Sequence, residues 1–529
     1  MIGKRSRTLQ WASELAGQNR SASKGGSWKS RLPRHSGESR DPEFFESRLW
    51  RDWIPGRPRP SPGLPGMTPF PCFRDSCKSL KVTLFLMAGI SFLAMLLWGS
   101  AMVRAQEASE DKPTPSTVDE VVNPMDRTFE KEPPREVPEK PTHPFFRDQK
   151  LDLNLRTFYK YNDKGADNSL SEAWAVGGAL TYKSGYLLDH FALGAAVYTS
   201  QPLYAPEDRD GTLLLKPGQE GYTVLGQLYG EIKVVQDNFF RFYRQEYNTP
   251  YINKNDFRMT PNTFEGYSFQ GTYGGKDGAP GFRYGGGYIT KIKERNSDQF
   301  VWMSQDAGAK VNRGVALAGL NYSEGPFSIG AIDYYSDDII NIFYTEGKAV
   351  FKPTKELGFL AAAQYSDQRS VGQDLLKGFG FSTHQFGIKG EMSYRRAILT
   401  LGYTIDGKGA DLQSPWGVHP GYTSVQVQDF NRAGENAFLG KLSYDFSTLG
   451  LAGVTAYALW VHGWDRVDPI TKASVKQEDE YDFDLQWRPQ IKLLKGFWFR
   501  TRYAVVSPRD GGPTQTDFRV IVNYDLPLL

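Results

Sequence analysis

From residue 151 to the end of the chain, apolar and polar side chains alternate one by one over segments of about ten residues, and Gly, Asp, Asn and Pro separate the segments. A period of two sends successive side chains to opposite faces of a strand, so each segment predicts a strand with one apolar and one polar face. The last segment is the clearest. Over 517–528, Phe518, Val520, Val522, Tyr524, Leu526 and Leu528 share one face, and Asp517, Arg519, Asn523 and Asp525 share the other; only Ile521 breaks the rule. Just before it, Phe497, Phe499, Tyr503 and Val505 oppose Arg500 and Arg502, and Tyr481, Phe483, Leu485 and Trp487 oppose Asp482, Asp484, Gln486 and Arg488.

The same pattern predicts strands at 151–161, 170–184, 190–200, 221–234, 238–248, 264–274, 281–294, 314–324, 326–336, 339–352, 357–367, 384–395, 397–406, 437–447, 451–464, 478–489, 495–506 and 517–528, eighteen in all. The alternative is a soluble sandwich or propeller. Strands this long, with aromatics near their ends, exceed the five or six residues usual there and suit an all-β, antiparallel transmembrane barrel. An even count puts both termini on one side, here expected to be the periplasm, and eighteen strands enclose a water-accessible lumen.

Composition agrees. Aromatics make up 14% of the 529 residues and glycines number 54, yet the mean hydropathy is −0.49, far too polar for a helical membrane protein. The formal charge of +3 hides an asymmetry: residues 1–105 hold 17 of the 63 Lys+Arg and 7 of the 60 Asp+Glu, leaving 46 and 53 beyond them, a net of −7. An acidic remainder argues against a nucleic-acid partner. The two cysteines, Cys72 and Cys77, precede the expected cleavage site, and six scattered His point to no metal site, so neither a cofactor nor a metal is expected. Gly285-Gly286-Gly287 reads as strand softening, since no Lys-Ser/Thr follows to make a phosphate loop.

At the N-terminus, Lys78 and Lys81 precede the apolar run 82–98 and the small-x-Ala sequence Val103-Arg104-Ala105. This predicts a signal peptide over 67–105 cleaved after Ala105, with a membrane-anchoring helix as the rival. Residues 1–66 are basic, Pro/Gly-rich and aperiodic, and Met67 opens a normally proportioned signal peptide, so they are expected to be a non-native upstream extension. Residues 106–144 are acidic and proline-rich and are expected to form a flexible leader; the barrel domain is 145–529.

Three stretches carry a family resemblance. Residues 243–267, YRQEYNTPYINKNDFRMTPNTFEGY, resemble the RQ…TP…ND.RM.P.TF.GY segment of OprD-type outer-membrane porins. Residues 414–446, SPWGVHPGYTSVQVQDFNRAGENAFLGKLSYDF, are similar to that family's PGY…FNRAGE…YDF segment, and LKGFWFRTRYAV at 494–505 to its arginine-bearing penultimate strand. The resemblance implies an 18-stranded barrel, a third extracellular loop folded inward to narrow the pore, and a ladder of basic side chains guiding anionic groups. The strand count agrees, since the connection between the fifth and sixth strands, 248–263, is the matching stretch. Leu529 at the C-terminus, in place of the usual aromatic, and the long leader depart from the pattern.

Alternation places Arg500, Arg502 and Arg519 in the lumen on adjacent strands, where they can form a row, with Lys389, Arg395 and Lys441 on inward parity elsewhere. Guanidinium forks suit carboxylates. The bland alternative pairs these cations with Asp482, Asp484 or Glu391 as wall filling. In the inward loop, Asp256 and Arg258, with Asn253 and Asn255, are candidates to line the constriction. Phe497, Phe499, Tyr503 and Tyr524 read as lipid-facing anchors. The resulting expectation is passive, substrate-preferring diffusion of small, carboxylate-bearing solutes. The competing class is a non-channel outer-membrane barrel: an adhesin, a binding protein, or an enzyme with serine-hydrolase-like activity. Of these, His384, Asp256 and the serines form no catalytic motif, and no catalytic residue is expected. The partners expected are outer-membrane lipid, small solutes and the barrel-assembly machinery, for a monomer or a loose homotrimer.

Overall fold

The computed structural model describes residues 143–529 apart from 166–169, 276–278 and 510. The expectations for the upstream extension, the signal segment and nearly all of the leader lie outside the described residues. A one-turn helix, Pro144–Arg147, enters the barrel, its first amide bonded to His143 Nδ1 at 3.2 Å.

Eighteen long strands follow: β1 Lys150–Asp163, β2 Leu170–Lys183, β3 Phe191–Tyr204, β4 Tyr222–Val235, β5 Asn238–Gln245, β6 Thr263–Gly274, β7 Gly281–Lys293, β8 Val315–Glu324 and β9 Phe327–Ser336. The second half is β10 Ile340–Phe351, β11 Leu357–Arg369, β12 Ser382–Tyr394, β13 Ala397–Asp406, β14 Asn436–Asp445, β15 Val454–Trp464, β16 Glu478–Trp487, β17 Phe497–Pro508 and β18 Gln515–Pro527. Each pairs antiparallel with its chain neighbours, and a two-residue strand, Val301–Trp302, adds to β7 at Lys291 and Ile292. β1 pairs with β18 from Asp152↔Pro527 to Asp163↔Thr516, which closes the sheet into a barrel and satisfies the edge that an open sheet would expose.

The turns at the end that carries the C-terminus are short. Three have two residues, 236–237, 325–326 and 395–396, and there Asp237, Gly325 and Arg395 take φ of 60°, 53° and 53°, the left-handed backbone that tight hairpins demand. Long connections, 205–221, 246–262, 294–314 and 407–435, gather at the other end. The fifth strand stops at Gln245 rather than 248, because Glu246 leaves the wall to accept hydrogen bonds from Tyr198 Oη (2.8 Å) and Gln227 Nε2 (3.0 Å). The fifteenth begins at Val454 rather than 451, after Gly450 and Gly453 turn the chain at φ 83° and 77°.

The two faces separate as the alternation requires. Tyr481, Phe483, Ile388 and Leu442 are exposed on the outside, while Asp482, Asp484, Arg500, Arg502 and Arg519 point inward and are buried. Ile521, the exception in the last strand, is also inward. It packs with Phe158 of β1 and with Leu214, Leu215 and Met259 from the 205–221 and 246–262 connections, so its apolar character serves an inner contact. A larger apolar core forms against the inner wall of β6–β11, where Ile289, Leu317, Tyr334 and Ile342 meet Tyr251, Met303 and Trp416 of three connections. Trp416 is fully buried and its Nε1 donates to Met303 O at 2.8 Å.

Candidate functional site: a basic arc and two crossing loops

The arginines expected to form a row are neighbours. Arg502 of β17 is paired across the ladder with Arg519 of β18, Arg519 is paired with Lys160 of β1, and Arg500 lies two residues along β17. Lys160, and Arg156 on the same face, were not anticipated. The parity that exposes Arg500 was available for both, since Leu153, Leu155 and Tyr159 alternate with them.

Like charges this close need anions between them. Asp484 of β16 accepts from Arg500 Nε at 2.7 Å and lies 3.0 Å from Arg502 Nε, a charge contact out of line for a hydrogen bond. Arg502 instead donates from Nη2 to Tyr457 Oη at 3.1 Å. Asp517 accepts from Arg519 Nε at 2.5 Å and stands 3.6 Å from Lys160 Nζ. Each carboxylate thus serves two cations, and each trio keeps one surplus positive charge. A low-dielectric wall makes such pairing obligatory, because an isolated buried charge costs several kcal/mol. The cations are thus paired within the wall; each trio holds two of them to one aspartate, and Asp482 is a further buried acid near Arg502 and Arg519.

Lys389 on β12 continues the arc, 3.4 Å from Glu391 and with its ammonium 5.0 Å from the Tyr422 ring centre. Lys441 on β14 sits 4.4 Å from the centre of the Tyr457 ring. Arg395 does not join them. It occupies the 395–396 turn at φ 53°, outside the strand, and pairs with Glu356 at 3.1 Å in an exposed contact; its extrapolated inward parity fails because the hairpin turns one residue early.

Two connections lie against this arc. In 246–262, Asp256 accepts from Arg156 Nη1 at 2.6 Å, while Tyr251 at the other end donates to Ser366 of β11 at 2.8 Å and packs against Tyr334 of β9. The loop therefore reaches from β1 to the inner wall across from it. Asn253 Oδ1 accepts from the Val418 amide at 3.1 Å, Asn255 Oδ1 accepts from Arg295 at 2.9 Å, and Arg258 Nε donates to Thr212 O at 3.1 Å. Those three tie 246–262 to its neighbouring connections. Arg258 is buried in that junction, so of the four loop candidates only Asp256 presents a partly exposed charge to the arc.

The second connection, 407–435, holds the first part of the 414–446 stretch that resembles the family. Its tip lies on the arc: Val427 and Gln428 amides donate to Glu480 at 2.8 Å each, the Gln426 amide to Asp482 at 3.1 Å, and Arg519 Nη2 donates to Gln426 O at 3.1 Å. Tyr422 Oη reaches Glu346 on β10 at 2.7 Å. The signal in the sequence is the inward pair Glu480 and Asp482, two buried acids whose oxygens need donors. Farther along the loop, burial lowers the affinity of His419 for a proton, its ring held between Gln385 (3.1 Å) and Ser414 (3.2 Å). Burial also raises the Glu435 carboxyl to about 7, against the opposing pull of Arg466.

Comparison with known proteins places this lumen. The family model for the outer membrane porin, OprD family, matches residues 143–528. Porin D of Pseudomonas aeruginosa is 24% identical over 420 residues, covering 73% of this chain and 92% of the relative. Among solved structures, Pseudomonas aeruginosa OccK9 (OpdG) superposes with a TM-score of 0.65 at 24% identity, covering 73% of this chain and all of that one. Acinetobacter baumannii OccAB3 gives 0.64 at 19% identity, and Pseudomonas aeruginosa OpdK, solved with vanillate, gives 0.62 at 20%; each covers 72% of this chain and 100% of its own. At those identities the structures speak for the fold, whereas the family match spans almost every described residue: the chain belongs to the OprD family of outer membrane porins.

Proposed function

We propose that this porin prefers small carboxylate-bearing solutes and that the arc Lys160, Arg519, Arg502, Arg500, Lys441 and Lys389 guides them. The observation that carries the reading is the sharing of Asp484 and of Asp517 by two cations each, which leaves a surplus positive charge in each trio beside the tip of 407–435. A guanidinium with one edge committed to aspartate still offers donors to a passing carboxylate, so a solute can exchange water for protein step by step without being trapped. The vanillate of the OpdK structure is itself a carboxylate.

In this reading the long connections face outward, both termini lie in the periplasm, and loops 246–262 and 407–435 narrow the pore. The mature chain begins near Gln106 after cleavage of a signal peptide, residues 1–66 are not made, and the barrel-assembly machinery inserts a monomer or loose homotrimer. Replacing Arg500 and Arg502 by Ala should lower the flux of an anionic solute several-fold, on the order of 1 kcal/mol in a barrier, and shift selectivity toward cations. Phe499→Ala, on the lipid face, should affect stability and leave selectivity alone. Planar bilayers at low salt decide: an unchanged reversal potential in the double arginine variant would falsify the arc's role.

A further inference from the structure

We propose a second carboxylate station, centred on Arg283, at the mouth of the barrel that carries the C-terminus. The proposal rests on the carboxylate reading of the arc and extends it to the opposite wall.

Arg283 is the third residue of β7, at that mouth. Its cross-strand partners are Thr272 of β6 and Asn321 of β8, while Phe282 beside it pairs with the outward Tyr273 and Tyr322, so Arg283 points inward. It is exposed, and among the described residues it has no ion pair or hydrogen bond. That sets it apart from the arc's arginines, each held by an aspartate. Its surroundings are neutral hydrogen-bonding groups: Thr272 and Gln270 are exposed on the same face, and Asn321 adjoins. Along the row of paired residues the acids stand farther off: Asp237, whose carbonyl accepts from the Thr272 amide at 3.1 Å in the 236–237 turn, on one side, and Glu346, three strands away on β10, on the other. An unpaired guanidinium whose immediate neighbours are uncharged binds a carboxylate with its full fork of donors.

The position on the path gives the station its use. Six residues farther along the same face of β7, Ile289 enters the apolar core that covers the upper inner wall of β6–β11. Water and solutes are therefore confined to the arc side at that height and regain the β6–β8 wall only below the core, where Arg283 stands. Lys348 of β10 bridges the interval. It lies in one row with Lys389 through Ala362, and its ammonium is 3.0 Å from Glu346. From Lys348 to Arg283 is three strands and two residues, roughly 15 Å. A solute leaving Lys389 thus meets Lys348 and then Arg283 before the exit.

The test compares full-length wild type, Arg283→Gln, Arg283→Lys and the Arg500→Ala/Arg502→Ala double variant in planar bilayers, with sodium benzoate as the probe. At low salt Arg283→Gln should reduce the benzoate-to-sodium permeability ratio about three-fold, Arg283→Lys should retain most of it, and molar salt should erase the difference by screening. If Arg283→Gln matches wild type while the double arginine variant loses its preference, the station is overturned and the arc stands. Should wild type itself show no benzoate preference, the arc reading falls and takes the station with it. A reduction that persists at molar salt, or that Arg283→Lys shares in full, would mean pore shape and not charge, and also overturns the station.

Discussion

At the scale of single residues, the lumen is governed by ratios of charge and not by the count of cations. Asp484 holds two arginines whose guanidiniums would otherwise repel each other in a wall that excludes most water. Asp484→Asn should therefore have two opposed effects. Anion selectivity should rise, because two positive charges stand uncompensated. Unfolding stability in detergent should fall by about 2 kcal/mol, because buried charges lose their partner. Reversal potentials and chemical denaturation of the same preparation check both; a variant that gains neither selectivity nor instability would show that Asp484 is solvated filling. Which residues face the lumen was legible from parity alone, as with Arg500, Arg502 and Arg519. Parity could not say that Arg395 falls in the turn, since a two-residue hairpin fixes its register by backbone conformation at one position.

At the scale of elements, the strands are self-announcing and the loops are not. The 407–435 connection contains no period, and its contacts are with residues far away in sequence, such as Gln428 with Glu480 and Tyr422 with Glu346. Two titrating groups on this loop act in opposite directions. His419 is buried uncharged, so its contribution is complete above the ordinary imidazole value of about 6.5 and is lost as pH falls below it. Glu435 is held protonated up to about 7, so its contribution is complete at low pH and is lost as pH rises from the ordinary carboxylate range through 7. His419→Gln should remove only the acid-side loss. Hydrogen exchange over residues 415–430, followed from pH 8 to pH 5.5, should then show protection that rises steadily on acidification in the variant. In wild type the two trends should offset. Identical profiles for the two proteins would rule out His419 as the acid-side group.

At the scale of the whole molecule, processing and closure meet at β1 and β18. If the signal segment is removed after Ala105, the purified outer-membrane form should have a mass that begins near Gln106, and intact-mass spectrometry reads this directly; a mass that includes residues before Val103 would overturn it. The sequence by itself determined the barrel: strand number, the lipid and lumen faces, and the pairing of the first and last strands all follow from a period of two, because side chains on a strand have only two directions to point. It also put Arg500, Arg502 and Arg519 on the inward face. Only the tertiary structure decided what those arginines meet. That Lys160 adjoins Arg519, that one aspartate serves two cations, that Ile521 packs beneath a loop, and that an apolar core against β6–β11 leaves Arg283 uncovered all depend on closure and on connections crossing between distant strands. The physical reason is range. Alternation is a property of neighbours along the chain, whereas charge balance and burial in a lumen are properties of neighbours across it.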